Sequence, residues 1–393
     1  MRQLRPSWGS LSRFGFGGHG KDCKGFPAWN LRQGDLPVLP HGEDYHFSRT
    51  PASARIKDVD NEKLKVAVVG VGSFGRNHAR VYKELADENV ELASIVDADI
   101  LRARAAAAEF GGQAFGSVAE MLAACPTVKA ASVAVPTVAH LATGRELMER
   151  GVDVLIEKPL AFTLAEADAL IGVAKQHGRI VQVGHLERFN PAVRATWALL
   201  TRPMFFEVHR LSVFTPRSLD VDVVFDLMIH DLDIVLKMAN SPVRELRAVG
   251  LPVLTGKVDI ASVRIEFESG CIANFTASRI STERVRKLRF FQPAQYVSLD
   301  YSRRDVFSLQ VKPTAGGMPE ILPYKPAVTT EEPLRAELSS FVRAVRHRTT
   351  PEITLEDGRA ALALAIEIQQ QMAEHRKRAH LDELAATMYG VKG

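Results

Sequence analysis

The order of apolar runs predicts an α/β half built on a doubly wound parallel sheet. An α+β half on a mostly antiparallel, open sheet is expected to follow it. Three observations carry this expectation. From Leu64 to Val183, short β-branched runs alternate with stretches whose apolar residues recur at helical spacing, the pattern of a parallel sheet covered by helices on both faces. Beyond Met204 the runs lengthen and alternate apolar with polar, as in Ser262 to Phe267 and Cys271 to Thr276 around a Ser269-Gly270 turn. That is hairpin chemistry on a sheet with one face left open. The length, 393 residues, suits two domains. The expected division is an extension over 1–60, a nucleotide-binding half over 61–183 and a second half over 184–393.

The first strand fixes the rest. Val66-Ala67-Val68-Val69 is apolar at every position and ends in Gly70-Val71-Gly72-Ser73-Phe74-Gly75, a G-x-G-x-x-G loop feeding a helix on which Phe74, Val81, Tyr82 and Leu85 share a face. In this context the motif reads as a dinucleotide site of the Rossmann type. Gly70 allows the tight turn, Gly72 lets backbone approach a pyrophosphate, and Gly75 lets the helix lie against the strand. Ser73 and Phe74 open that helix, whose free N–H groups face the phosphates. A second strand, Leu92 to Val96, ends at Asp97. A carboxylate there bonds ribose hydroxyls and repels a 2′-phosphate, so the expected cofactor is NAD; Arg102 and Arg104 are the nearby groups that could accept such a phosphate.

The remaining elements follow in order. Helices are expected over Ala103 to Phe110 and Val118 to Ala123, then a strand from Ala131 to Val135 ending at Pro136-Thr137. A helix from Val138 to Arg150 closes at Gly151, and the strand Val152 to Ile156 runs into Glu157-Lys158-Pro159. Thr163 to Glu166 forms a capping box for a helix that Gly178 ends, and Arg179 to Val183 is the last parallel strand. In the second half the pattern gives a loop and helix from His185 to Leu200 and a strand from Met204 to Val213. A helix from Phe225 to Met238, the hairpin already named and a strand pair across Leu288 to Tyr301 come next. Helices from Pro333 and over Leu355 to Glu374 finish the chain.

Composition excludes several classes. Of the net charge of +4, residues 1–57 hold nine Lys/Arg against four Asp/Glu, leaving the body at −1, so neither nucleic acid nor a membrane surface is an expected partner. No apolar run is long enough to span a bilayer. Cys23, Cys125 and Cys271 match no metal-ligand spacing and no disulfide framework, which suits a reducing cytoplasm and no metal. Residues 1–60 lack periodicity and a secretory apolar core, and the first 21 carry no acid, a faint transit-peptide feature. They are expected to be a disordered extension, or upstream sequence translated from a misassigned start.

Three features converge where an open parallel sheet places its site, beyond the carboxyl ends of the strands. Glu157-Lys158-Pro159 follows a buried strand, so Lys158 points into the cleft; a surface lysine before a turn proline is the alternative. Asp226 and His230 lie four apart on one helical face, a pairing that suits general-base work. The apolar residues between them make Asp226, Asp231, Asp233 and His230 costly to bury unless they line a cleft. In Gly184-His185-Leu186-Glu187-Arg188-Phe189-Asn190-Pro191, Arg188 and Asn190 would reach substrate, although Asn190 equally fits a helix N-cap before Pro191.

The ordered set resembles the Gfo/Idh/MocA oxidoreductase family: the G-x-G-x-x-G unit, Val135-Pro136-Thr137, Glu157-Lys158-Pro159 and Asp226-x-x-x-His230. The resemblance covers the chain from about Leu64 to the last helices. It implies a two-domain NAD(P) enzyme acting on a sugar hydroxyl, with Lys158, Asp226 and His230 catalytic and the peptide before Pro159 often cis. Pro136, Glu157 and Lys158 would then join Gly70, Gly72, Ser73, Phe74, Gly75 and Asp97 around the cofactor. Lys158, His185, Arg188, Asn190, Asp226 and His230 would face substrate. Gly184 to Ala192 together with Asp226 to Asp231 is similar to a narrower bacterial group that oxidises the 3-hydroxyl of UDP-N-acetylglucosamine. That similarity implies a UDP-sugar substrate, an aminotransferase consuming the 3-keto product, and a place in lipid A synthesis. Arg284 to Phe291 also resembles that group and offers cations for a diphosphate, or simply a charged strand edge. A polyol dehydrogenase of the inositol type and a non-catalytic NAD-binding regulator are the rivals. The half-apolar open sheet face suggests a homo-oligomer.

Overall fold

The computed structural model describes residues 63–381, except 216–220 and 315; the extension expected over 1–60 lies outside the described residues. In the first half, β1 (Leu64–Val69) pairs in parallel with β2 (Val90–Val96) and with β4 (Ala130–Val133). Beyond β2 lies β3 (Gln113–Phe115), and beyond β4 lie β5 (Asp153–Glu157) and β6 (Val181–Gly184), all parallel. The strand order is β3-β2-β1-β4-β5-β6. It reverses between β1 and β4, and ligands bind outside the carboxyl ends at such a point.

Side chains alternate along β1, and both directions are buried. Val66 and Val68 enter the core under α1 (Ser73–Glu84), α2 (Ile100–Phe110) and a helix from the far end of the chain, α8 (Pro333–His347). Ala67 and Val69 enter the core under α3 (Val118–Ala124), α4 (His140–Glu149) and α5 (Leu164–His177). Neither face meets water, which is why the run shows no polar alternation. The capping box of Thr163 and Glu166 forms with both bonds present, and Gly178 closes α5 at φ 61°. Phe74 corrects the expected apolar face: Val81, Tyr82 and Leu85 are buried, whereas Phe74 is 46% exposed. It sits at the helix start, above the ends of the strands, where there is no sheet to pack on.

The chain leaves the first sheet at Gly184, turns through residues 186–189 and α6 (Pro191–Trp197), and enters a second sheet at β7 (Phe205–Leu211). β7 lies parallel to β10 (Ile272–Ser278) and antiparallel to β11 (Val285–Gln292). On one side β9 (Ile260–Phe267) and β8 (Val243–Leu251) continue the sheet. On the other side it continues through β12 (Gln295–Asp300), β13 (Asp305–Lys312) and β14 (Glu320–Tyr324). The sequence does not mark β8, β13 or β14. β8 interleaves Arg244, Glu245 and Arg247, and β14 is a fully exposed edge strand containing Pro323, a residue tolerated only at such edges.

Helices α7 (Ile229–Ala239) and α9 (Leu355–Arg378) cover one face of this sheet. The opposite face carries Phe291, Phe307 and Val311, all more than a third exposed. The division at residue 184 does not hold for α8. Leu334, Leu338, Phe341 and Val342 pack with Val66, Tyr82 and Ile95 of the first half. The helical stripe read from Pro333 onward therefore belongs to the first sheet, and periodicity alone cannot say which sheet a stripe will cover.

Candidate active site

The glycine loop is shaped by what it excludes. Gly70 has φ +86°, and a Cβ there would stand 2.7 Å from the Ala134 carbonyl oxygen. A Cβ on Gly75 would stand 1.8 Å from the Gly70 oxygen, so α1 can approach the strand only through glycine. A Cβ on Gly72 would meet nothing within 4 Å, so the space over the loop is free for a pyrophosphate. Asp97 is fixed at the end of β2 by the amides of Val71 and Asp99, each donating at 2.9 Å, with carboxylate lone pairs left for ribose hydroxyls. Arg102 is paired with Asp99 at 3.2 Å. This donor and acceptor set fits NAD, which supplies the hydride acceptor when bound.

At the end of β5 the Lys158–Pro159 peptide is cis. Glu157 corrects its expected cofactor role, because it turns inward. Its Oε1 is 2.9 Å from His78 Nε2, and a Cβ on the neighbouring Gly184 would stand 2.9 Å from its carboxyl. Glycine at 184 thus makes room for a buried carboxylate behind Lys158. His140 lies 3.0 Å from the Val135 oxygen through Nε2 and 3.1 Å from the Pro159 oxygen through Nδ1. It ties the turn bearing Pro136 to the turn bearing Lys158. Burial lowers the pKa of His140, and a neutral imidazole donates only one of those bonds.

Sequence reasoning missed His78 and His140. The signal for His78 was its place four residues before Tyr82, on the sheet-facing stripe of α1. For His140 it was the start of the helix after Val135-Pro136-Thr137.

Asp226 and His230 sit where the chain enters α7. Residues Val224–Met228 form a π-helical turn, a widened geometry frequent at functional sites. Asp222 caps its start by accepting from the Val224 amide at 3.0 Å. The Lys158 ammonium crosses from the first half and donates to the main-chain oxygen of Asp226 at 3.1 Å. The contact is with the backbone, not the carboxylate. Burial lowers the Lys158 pKa, while Asp226 and then Glu157 oppose that shift.

His230 is half-buried, with Nδ1 unpaired among the described residues. Its pKa is held well below the usual imidazole value, first by burial and next by the Lys158 charge, then by Arg210. A cleft of ≈ 940 Å³ runs between the halves, walled among others by Pro136, Lys158, Asp222, Asp226, Lys257 and Gln369. His230, one helical turn beyond Asp226, is not part of that wall.

The expectation that Arg188 and Asn190 reach substrate is corrected. Arg188 is buried and makes a bidentate pair with Asp233 at 2.6 Å through both Nε and Nη2, plus a bond to Asp357 at 3.2 Å. Asn190 is the N-cap of α6, accepting from the Ala192 amide at 3.1 Å while its Nδ2 donates to the Tyr301 carbonyl at 3.2 Å. Asp231 does not line the cleft either, since Arg210 grips it at 2.6 and 2.9 Å. Buried acids on α7 are thus balanced by forked cations, the geometry in which such charges persist.

His185 is 1% exposed, lies 4.0 Å from Asp233, and neither ring nitrogen is hydrogen-bonded among the described residues. Burial lowers its pKa. Arg286 stands opposite Arg210 in the β7–β11 register. It is exposed, makes no hydrogen bond or ion pair with a described residue, and its charge reaches His230.

Comparison with known proteins agrees with this architecture. Residues 64–185 match a family model described as an oxidoreductase family with an NAD-binding Rossmann fold, and residues 193–291 match the GFO/IDH/MocA C-terminal domain. The chain is 35% identical over 308 residues to a UDP-N-acetylglucosamine 3-dehydrogenase of Acidithiobacillus ferrooxidans, covering 78% of this chain and 96% of that one. A solved structure of that enzyme superposes with a TM-score of 0.72 at 34% identity, covering 78% of this chain and 97% of the other. A scyllo-inositol 2-dehydrogenase of Bacillus subtilis is 27% identical over 236 residues, 56% of this chain and 68% of that one.

Proposed function

The chain belongs to the Gfo/Idh/MocA family of NAD-binding oxidoreductases and is an NAD-dependent dehydrogenase acting on a sugar CH–OH group. From that premise we propose that it oxidises the 3-hydroxyl of UDP-N-acetylglucosamine to the 3-keto sugar nucleotide. The observation that carries the chemistry is the meeting of Lys158 with the Asp226 backbone, one helical turn from His230, whose Nδ1 is unpaired among the described residues. His230, kept neutral by burial and by neighbouring cations, is free to take the hydroxyl proton. Lys158, already held by one acceptor, donates to the oxygen as negative charge develops on it. Asp226 acts on Lys158 through its main-chain oxygen and its charge.

The similarity to a UDP-N-acetylglucosamine 3-dehydrogenase supports the sugar nucleotide as substrate. So does Arg286, a cation without a partner among the described residues whose charge reaches His230 and which suits a diphosphate. The 3-keto product is consumed by an aminotransferase in this reading, within lipid A synthesis in the cytoplasm. The open sheet face pairs with a second copy of the chain. A panel of UDP-sugars and free polyols with NAD⁺, read by NADH absorbance and product mass, tests the substrate. Turnover of UDP-N-acetylglucosamine to a product two hydrogens lighter supports it, and turnover of free polyols alone rejects it.

A further inference from the structure

We propose that a second cleft, at the amino ends of β1, β4 and β5, binds a small anion carrying two or more phosphate groups. Lys65 lies near the start of β1, Lys129 just precedes β4, and Asp153 opens β5, so this cleft is at the edge of the sheet opposite Gly72 and Lys158. It measures ≈ 410 Å³ and is walled by Lys63, Lys65, Lys129, Arg179, Arg346 and Arg348, with Asp153 as its one carboxylate.

Asp153 offsets only one of these six charges, although it lies against two of the arginines, Arg348 and, at 3.7 Å, Arg179. It is buried, one oxygen accepts from the Ile180 amide at 2.8 Å and the other is taken by Arg348. The three arginines are held by protein acceptors. Arg179 donates to the oxygens of His177 at 2.9 Å and Gly151 at 2.6 Å, Arg348 to Gly178 at 2.8 Å, and Arg346 to Asn89 at 2.9 Å. A guanidinium has five N–H donors, so each keeps donors to spare in a fixed orientation, the arrangement that suits phosphate oxygens. The ammonium groups of Lys63, Lys65 and Lys129 have no hydrogen-bond or ion-pair partner among the described residues.

Six cations against one carboxylate leave five positive charges, more than a single phosphate group of about −2 can offset. A cleft lined by one sign of charge focuses the field and concentrates counter-ions. The body beyond residue 57 carries −1 overall, so the positive charge is local, which favours a small ligand over a polymer.

The test uses full-length protein saturated with NADH and UDP, so that the pyrophosphate cradle at the glycine loop and the diphosphate position proposed beside Arg286 are both filled. Inorganic pyrophosphate is titrated in by calorimetry at fixed ionic strength, with inorganic phosphate as the comparison. The expected result is one-site pyrophosphate binding, tighter than phosphate, that weakens roughly tenfold or more in Lys65→Ala/Lys129→Ala while NADH affinity is unchanged. Should the double variant fail to fold, Lys129→Ala, at an exposed position, carries the same comparison. Equal pyrophosphate affinity in wild type and variant overturns the site. So does heat no larger than that of potassium chloride at matched ionic strength, and phosphate binding as tightly as pyrophosphate overturns the ligand class.

Discussion

At the scale of single residues, the site separates groups that do chemistry from groups that hold them. His230 and Lys158 touch the reacting oxygen in the proposed reaction. His230→Asn and Lys158→Ala should each lower kcat by about two to four orders of magnitude with NADH affinity retained, as expected for loss of general-base or oxyanion help; near-normal turnover in both variants rejects the roles. The pH profile adds a second check. His230 must be neutral to accept a proton, and its pKa is lowered, so the acid limb of kcat/KM should have its midpoint below the free-imidazole value of about 6.5. A limb at or above that value would be inconsistent with His230 acting as base.

Arg188 belongs to the other class. Its bidentate bond to Asp233 predicts that Arg188→Ala costs about 3–5 kcal/mol of stability, because a buried carboxylate loses its partner. Denaturant unfolding measures this. A variant of unchanged stability but raised KM would return Arg188 to substrate binding.

At the scale of elements, α8 carries an unused carboxyl. Glu337 is fully buried, both oxygens lack partners among the described residues, and burial raises its pKa well above the usual carboxylate range, with Glu157 and Glu352 adding to the shift. A group whose folded pKa is raised favours the folded state below the unfolded value of about 4.3 and loses that advantage as pH climbs toward the folded pKa. Glu337→Gln removes this loss. Its gain in melting temperature over wild type should therefore grow as pH rises from 5 to 8, and a gain constant with pH would show that Glu337 does not titrate in this way.

The π-helical turn before α7 is the element that sequence periodicity could not show. Spacing placed Asp226 and His230 about one turn apart, as they are. Only the folded turn offers the Asp226 carbonyl, rather than its carboxylate, to Lys158.

For the whole molecule, the two sheets are joined by more than a crossover. α8 returns to cover the first sheet, and α9 spans both cores through Leu355 and Leu362 on one side and Ala365 and Ile368 on the other. The open face of the second sheet shows an aromatic row, with Phe205 and Phe291 ring centres 5.7 Å apart and Phe291 and Tyr296 5.0 Å apart. If a second copy covers this row, a charge at its centre is buried unpaired. Phe291→Asp should then shift the sedimentation coefficient from a dimer or larger to a monomer, and an unchanged value would place any interface elsewhere.

Much of this was legible in the chain because the signals are local. β1, the glycine loop and Asp97 are set by backbone demands and burial within about thirty residues, the reach of a βαβ unit. Thr163, Glu166 and Gly178 are likewise helix-end chemistry that neighbours decide. By itself the sequence thus determined a dinucleotide fold and the order of elements in its first half, and it singled out Lys158 and His230. Tertiary structure alone decided which charges are spent. Arg188, Glu157, Asp231 and Asp233 look functional in one dimension because a charge beside apolar residues implies function or a partner. Each partner comes from another element: Asp233 and Asp357 for Arg188, Arg210 for Asp231, His78 for Glu157. Ion pairing is set by distance in space, and a linear sequence carries no record of that distance until the sheets have brought its distant parts together.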